Sequence, residues 1–381
     1  MTRSARGFSL VEAMVATMIV AAVTAIAFAT VNPVRAAFDA QPEAQDMHQR
    51  LRVAAESLRY DIAMSGAGPY FGAHTGALTG YFAPVLPYRR LSDAPGSFRT
   101  DALTTIYVPA TAAQATLAAA MTSSSTVFTV TADSSCPVGK AACGFVAGDT
   151  ALVVDASGHF DTFTVLGVSG SGGMLAPDFA GATGVVYGAG ATIVKAVVRA
   201  YVLKPDPRVP QLLVFDGGAA AAPIADHVVG VTFQLYGDAQ PPTLIETSRP
   251  TYGPAPPPIG TQTTEYPPGE NCAFRVDAVT GTQVPRGAVF GGADALVPLT
   301  SSVLTDGPWC PDESSPSRYD LDLLRVRTIG VTLRVESALD ALRGPAGVLF
   351  VRPGTGTITG RLLPDLEVTF KLTPRRLLAG Q

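Results

Sequence analysis

Glu12 is the first residue whose type and place suggest chemistry. It is the sole ionisable group in Phe8–Val31, FSLVEAMVATMIVAAVTAIAFATV, a run of 24 residues that is otherwise almost wholly apolar. A membrane-spanning helix needs about 20 such residues. A carboxylate near the start of a membrane helix costs on the order of 2–4 kcal/mol unless it is paired or lies at an interface, so its default reading is functional. Ahead of the run stands MTRSARG, short and polar, basic through Arg3 and Arg6, and ending at Gly7. An ordinary secretory signal has an apolar stretch of only about 7–15 residues followed by a small-residue cleavage site. The run here is longer, and its one acid lies near its beginning. A plain signal anchor would leave the Gly-Phe-Ser-Leu-Val-Glu boundary unexplained.

The second group of reactive side chains is the four cysteines, Cys136, Cys143, Cys272 and Cys310. An even, small number in an exported protein favours two disulfides, and four cysteines allow three pairings that sequence does not decide between. Pairing Cys136 with Cys143 and Cys272 with Cys310 closes the shortest loops and is the preferred arrangement. Zinc is disfavoured, because no CxxC is present and His48, His74, His159 and His227 are scattered. No GxSxG, HExxH or Walker pattern occurs, so no catalytic residue is expected and the chain does not read as an enzyme. GATGVVYGAG (181–190) is glycine-rich but lies between β-type segments with no helix after it, and reads as a loop. Asp306, Asp312, Glu313, Asp320 and Asp322 cluster around Cys310; without EF-hand spacing they read as a solvated acidic loop, with a calcium site as the alternative. Trp309 reads as a packing anchor, and His159 and His227 as structural. No cofactor, metal or small-molecule substrate is expected. The net charge of -4, with no dense Lys/Arg block, gives no reason to expect nucleic acid as a partner.

The stretch RGFSLVEAMVA closely resembles the prepilin-type N-terminal cleavage and methylation motif of type IV pilin-like proteins. It has the basic leader, the Gly, the Phe, a short run and then Glu as the fifth residue of the mature chain. The resemblance implies that a prepilin peptidase cuts after Gly7 and that Phe8 becomes the N-methylated N-terminus. It also implies that Glu12 meets the N-terminal amine of a neighbouring subunit. An ammonium and a carboxylate in hydrocarbon neutralise each other, whereas each alone carries a large desolvation cost. Arg3 and Arg6 fit a leader retained in the cytoplasm. The implied partners are the peptidase, other major and minor pilins through the N-terminal helix, and the inner membrane before assembly. The implied location is single-pass in the bacterial inner membrane with the head in the periplasm, then in the pilus at the cell surface.

The elements that must carry these residues follow from composition and period. Only 15% of the 381 residues are charged, while Gly numbers 38 and Pro 31, a composition that is loop-rich and β-rich. Helical spacing continues past Pro33: Ala37, Met47, Leu51, Ala54, Leu58 and Ile62 form an apolar stripe, with Arg50, Arg52, Glu56, Arg59 and Asp61 mostly away from it. One long helix is expected, kinked or locally opened at Pro33 and Pro42 and ended by SGAGPYFG (65–72). From Leu103 short Val/Thr/Phe-rich segments follow: TTIYVPA, STVFTVTA, TALVVDA, FDTFTVLGV, ATIVKAVVRAYVL, QLLVFDG and VVGVTFQLYGD. Strands return late in LLRVRTIGVTLRVES and LEVTFKLTP. The expected fold is α+β: leader 1–7, membrane and assembly helix 8–31, amphipathic helix 32–66, and a β-rich head 67–381. Within the head, about 110–200 reads as an inserted β module and 240–300 as an irregular Pro-rich loop region.

The head also resembles the large W-type minor pilins through SLRYDIAMSGAG, AGDTALVVDASGHFDTFTVLGV, ADHVVGVTFQLYGD and RVRTIGVTLRVES. The J-type minor pseudopilins of type II secretion share much of that architecture. The resemblance implies a minor pilin acting in pilus assembly or at the tip. A minor pseudopilin, or a surface- or DNA-binding module for adhesion or uptake, are the alternatives. A head of more than 300 residues argues against a major pilin repeated thousands of times.

Overall fold

Strong helix formers in an apolar run, followed by an apolar stripe at spacings of four and seven, produce a single helix, Leu10–Met64, of 55 residues. At about 1.5 Å per residue it is about 80 Å long. The computed structural model describes residues 9–68, 78, 82–87, 98–109, 113–122, 125–131, 136–155, 159–170, 172–175, 186–216, 221–239, 274–281, 283–285, 295–305, 309–310, 319–357 and 361–374. The Pro-rich stretch 240–273 and residues 1–8 lie outside them. Pro33 and Pro42 are expected to kink or locally open the helix; helical structure continues through both residues. Each proline removes one backbone donor, and the neighbouring turns carry the helix on. Gly66, with φ of +80°, turns the chain away just past the helix end, and its N–H donates to the Ile106 carbonyl at 3.1 Å.

The chain divides into two compact units, Met1–Arg52 with Arg334–Leu366, and Val53–Leu333 with Glu367–Gln381. In the first unit a buried ionic network ties the helix to the 336–352 segment. Glu43 accepts from the Ala338 N–H at 2.6 Å and from Arg50 at 2.9 Å, and Arg50 also donates to the Glu336 carbonyl at 3.2 Å. The Glu336 carboxylate is fully buried and accepts from Arg343 at 2.6 Å and from Arg352 Nε at 2.9 Å. Charges taken out of water hold a structure only when they are paired and hydrogen-bonded this fully.

In the second unit an antiparallel five-stranded sheet runs in the order Val85–Pro87, Ala102–Tyr107, Val197–Lys204, Gln211–Phe215, Ala221–Asp226. Ala102–Tyr107 and Val197–Lys204 are neighbours, with Tyr107 opposite Val197. Between these partners the chain leaves and builds a separate six-stranded sheet from Gln114–Thr116 to Thr192–Lys195. This inserted module has its own core of Phe128, Phe145, Phe163, Val165, Tyr187 and Ile193. Phe128 meets Phe145 edge-on at 5.9 Å between ring centres. The Cys136–Cys143 disulfide closes a loop on the module, with a sequence separation of 7. A further four-stranded sheet orders Val297–Leu299, Val228–Gly237, Val326–Val335 and Leu366–Leu372. The architecture is α+β: a long N-terminal helix and a β-rich head of several sheets.

Three local expectations need correction. ATIVKAVVRAYVL is two strands, Thr192–Lys195 and Val197–Lys204, in different sheets; Ala196 is the crossing point, with its N–H on the Thr150 carbonyl at 2.9 Å. The Leu-Leu-Arg before Val326 is the end of a 3-10 turn, Leu321–Arg325, because the Asp320 side chain caps the Asp322 N–H at 2.7 Å and Asp322 pairs with Arg325 at 2.7 Å. Asp61, read as a polar-face residue, is buried.

Asp61 is buried because the strands supply donors for it. Its carboxylate accepts from the Tyr107 hydroxyl at 2.9 Å and from the Tyr201 hydroxyl, and Tyr201 shares a bond of 2.9 Å with Ser57. Burial, then the adjacent Asp61 charge, pushes both phenols well above their usual range. Asp61→Ala takes the acceptor from the buried Tyr107 hydroxyl and leaves Tyr201 with Ser57, and is expected to cost about 3 kcal/mol, read as a fall in the denaturation midpoint of the detergent-solubilised full chain. Replacing both Cys136 and Cys143 by Ser opens the loop of the module; loop-closure entropy puts the loss at about 2.5 kcal/mol. That loss is measurable as faster limited proteolysis within residues 113–195.

Candidate functional site

The helix begins with two reciprocal hydrogen bonds. The Ser9 N–H donates to Glu12 Oε2 at 3.1 Å, and the Glu12 N–H donates to Ser9 Oγ at 3.2 Å. Ser9 stands one residue before the helix and Glu12 at its third position, the spacing at which a capping box satisfies two otherwise orphaned donors. A carboxylate here is also favoured by the positive end of the helix dipole. Glu12 Oε1 has no hydrogen-bond partner among the described residues.

Leu10–Phe28, 19 residues at a mean hydropathy of 2.2, is long and apolar enough to cross a membrane. All of it is exposed in the isolated chain, including Leu10, Val11, Met14, Met18, Ile19, Val23, Ile26 and Phe28. So much apolar surface marks a site that must be covered by lipid or by other helices. Its two other hydroxyls are satisfied within the helix: Thr17 donates to the Met14 carbonyl at 2.9 Å and Thr24 to the Val20 carbonyl at 2.7 Å. Glu12 keeps a carboxylate oxygen without a partner among the described residues, able to accept a strong bond.

Gly7 and Phe8, the expected cleavage residues, lie outside the described residues, as do Cys272, Asp306, Asp312 and Glu313. Cys310 lies in the short strand Trp309–Cys310 opposite Tyr319–Asp320, and its side chain is likewise outside what is described. The other two acids of that stretch serve the fold, Asp320 as a cap and Asp322 as the partner of Arg325. Among the described residues no group of three or more His, Cys, Asp or Glu could hold a metal ion. His159 pairs with Asp155, Nδ1 to Oδ2 at 2.9 Å, and His227 takes a left-handed φ of +57° between Ala221–Asp226 and Val228–Gly237.

Two features escaped the sequence reading. Ser9 was detectable, since Ser-x-x-Glu just before an apolar run is a capping signature. The buried carboxylates Asp61 and Glu336 carry no such local sign, because Asp61 meets Tyr107 and Tyr201, and Glu336 meets Arg343 and Arg352, only on folding.

Comparison with known proteins agrees with this geometry at the N-terminus. Residues 2–28 match the family described as the prokaryotic N-terminal methylation motif. The match indicates an N-terminal segment of the type IV pilin and pseudopilin kind. It implies processing by a prepilin peptidase and association with other pilins, and with the apolar helix it fits membrane anchoring before assembly. No curated protein and no solved structure matches the chain.

Proposed function

We propose that this chain is a minor pilin of a type IV pilus, acting in pilus assembly or at its tip. The observation that carries the reading is Glu12: one carboxylate with an oxygen unbonded among the described residues, at the start of an exposed apolar helix that bears the methylation motif. Hydrolysis of the Gly7–Phe8 peptide bond leaves a carboxylate on Gly7 and an amine on Phe8; the amine then takes a methyl group from a sulfonium methyl donor, which leaves as the thioether, and loses a proton. The helix bundles with those of other pilins, and the Phe8 ammonium of one subunit meets Glu12 of the next. Inside a bundle of apolar helices neither charge is solvated, so the pair forms at one axial register and excludes others. Before assembly the subunit is single-pass in the inner membrane with its head in the periplasm.

Two features favour a minor over a major subunit. The part after the helix exceeds 300 residues, and a whole β module is inserted between the paired strands Ala102–Tyr107 and Val197–Lys204. The insertion also supports the W-type likeness over the J-type pseudopilin of type II secretion, the second reading. Genes for other minor pilins and a tip adhesin beside this one support the pilus; secretin-linked pseudopilin genes would support secretion. We further assign Cys272–Cys310 as the second disulfide, on loop length.

Glu12→Gln tests the assembly role, because Gln can fill the same place in a capping box but carries no charge. The variant is expected to be cleaved normally and to be lost from sheared filaments by about tenfold or more, read by immunoblot of filament and membrane fractions. Filaments that contain the variant at the native level would refute the role.

A further inference from the structure

We propose that Ser9 is the positioning residue for Glu12: it holds one carboxylate oxygen in place so that the other is presented to the amine of the neighbouring subunit. The inference rests on the assembly role proposed for Glu12 and deepens it.

The argument begins with the polar inventory of the apolar span. Thr17 and Thr24 spend their hydroxyls on their own helix, on the carbonyls of Met14 and Val20. Ser9 does something different. Its hydroxyl accepts the Glu12 N–H at 3.2 Å, which places the start of the helix, and its own N–H holds Glu12 Oε2 at 3.1 Å, which places the side chain. A glutamate otherwise has three rotatable bonds, and pairing it with a partner costs the ordering of all three. Here that ordering is done within the chain before the partner arrives. A carboxylate has about four lone-pair positions, so one donor on Oε2 leaves Oε1 able to accept a charge-assisted bond from an ammonium. The box and the bond between subunits are therefore compatible. Ser9 orients the acceptor that the incoming amine meets and is not displaced by it. Preorganised acceptors bind with less loss of conformational freedom, which is the effect expected of Ser9.

The test compares Ser9→Ala and Ser9→Thr with the native full-length chain in cells. Cleavage is scored by the mass of the membrane-extracted subunit, and incorporation is expressed per cleaved subunit. Contact between Phe8 and Glu12 is scored by dicyclohexylcarbodiimide coupling in isolated filaments, which joins a carboxylate to an amine lying against it. Ser9→Ala keeps the backbone N–H but loses the hydroxyl that fixes the start of the helix and so the place of that N–H; it is expected to be cleaved, to enter filaments about fivefold less than native, and to give less coupled product per incorporated subunit. Ser9→Thr, which keeps a capping hydroxyl, is expected to restore both. Native incorporation and coupling in Ser9→Ala, alongside a failing Glu12→Gln, would overturn the role of Ser9 and leave that of Glu12 standing. So would reduced incorporation with unchanged coupling, which marks a helix cap and nothing more. Loss of cleavage in Ser9→Ala would likewise overturn it by placing Ser9 in processing. Normal assembly of Glu12→Gln would remove the underlying reading itself.

Discussion

The apolar surface of Leu10–Phe28 is the constraint on which the rest of the molecule depends. Nineteen residues with no burial in the isolated chain cannot face water, so the helix must sit in lipid or among other helices. Both surroundings are hostile to charge, and that gives the one carboxylate its meaning. In lipid Glu12 leans on the Ser9 N–H and the positive end of its own helix. Among helices it can be neutralised by an amine. On the assembly role proposed for Glu12, the same side chain has a partial solution within the chain and a fuller one between subunits.

Each of the two units holds its own part of the helix beyond Ala40. The first unit grips it at Glu43 and Arg50 through the backbone of residues 336–338 and the buried Glu336–Arg343–Arg352 cluster. The second grips its last turns through Ala54, Leu58 and Ile62 and through Asp61, held by Tyr107 and Tyr201. Buried pairs of this kind add little net stability compared with an apolar core, but breaking one is expensive, so they fix geometry more than they add free energy.

Much of this was legible in the sequence, and the reasons differ by element. Glu12 was visible because a lone acid in an apolar run needs no partner to be noticed. The strands Phe160–Ser169, Val228–Gly237 and Val326–Val335 were visible because Val/Thr alternation is a local signal. The break at Ala196 was not, since apolar residues continue through it and only the pairing of its two sides with different sheets divides them. The continuous helical structure across Pro33 and Pro42 shows the same limit from the other side: a residue that lacks one backbone donor does not by itself end a helix. Asp61 was misplaced on the polar face because its partners lie 46 and 140 residues further along the chain.

The most direct measurement of the central claim is the mass of the N-terminal peptide from protein purified out of filaments. A peptide that begins at Phe8 and carries one added methyl group is the predicted result. A peptide that begins at Met1 or Thr2 would contradict the account, because Phe8 would then have no free amine to offer Glu12 of a neighbouring subunit.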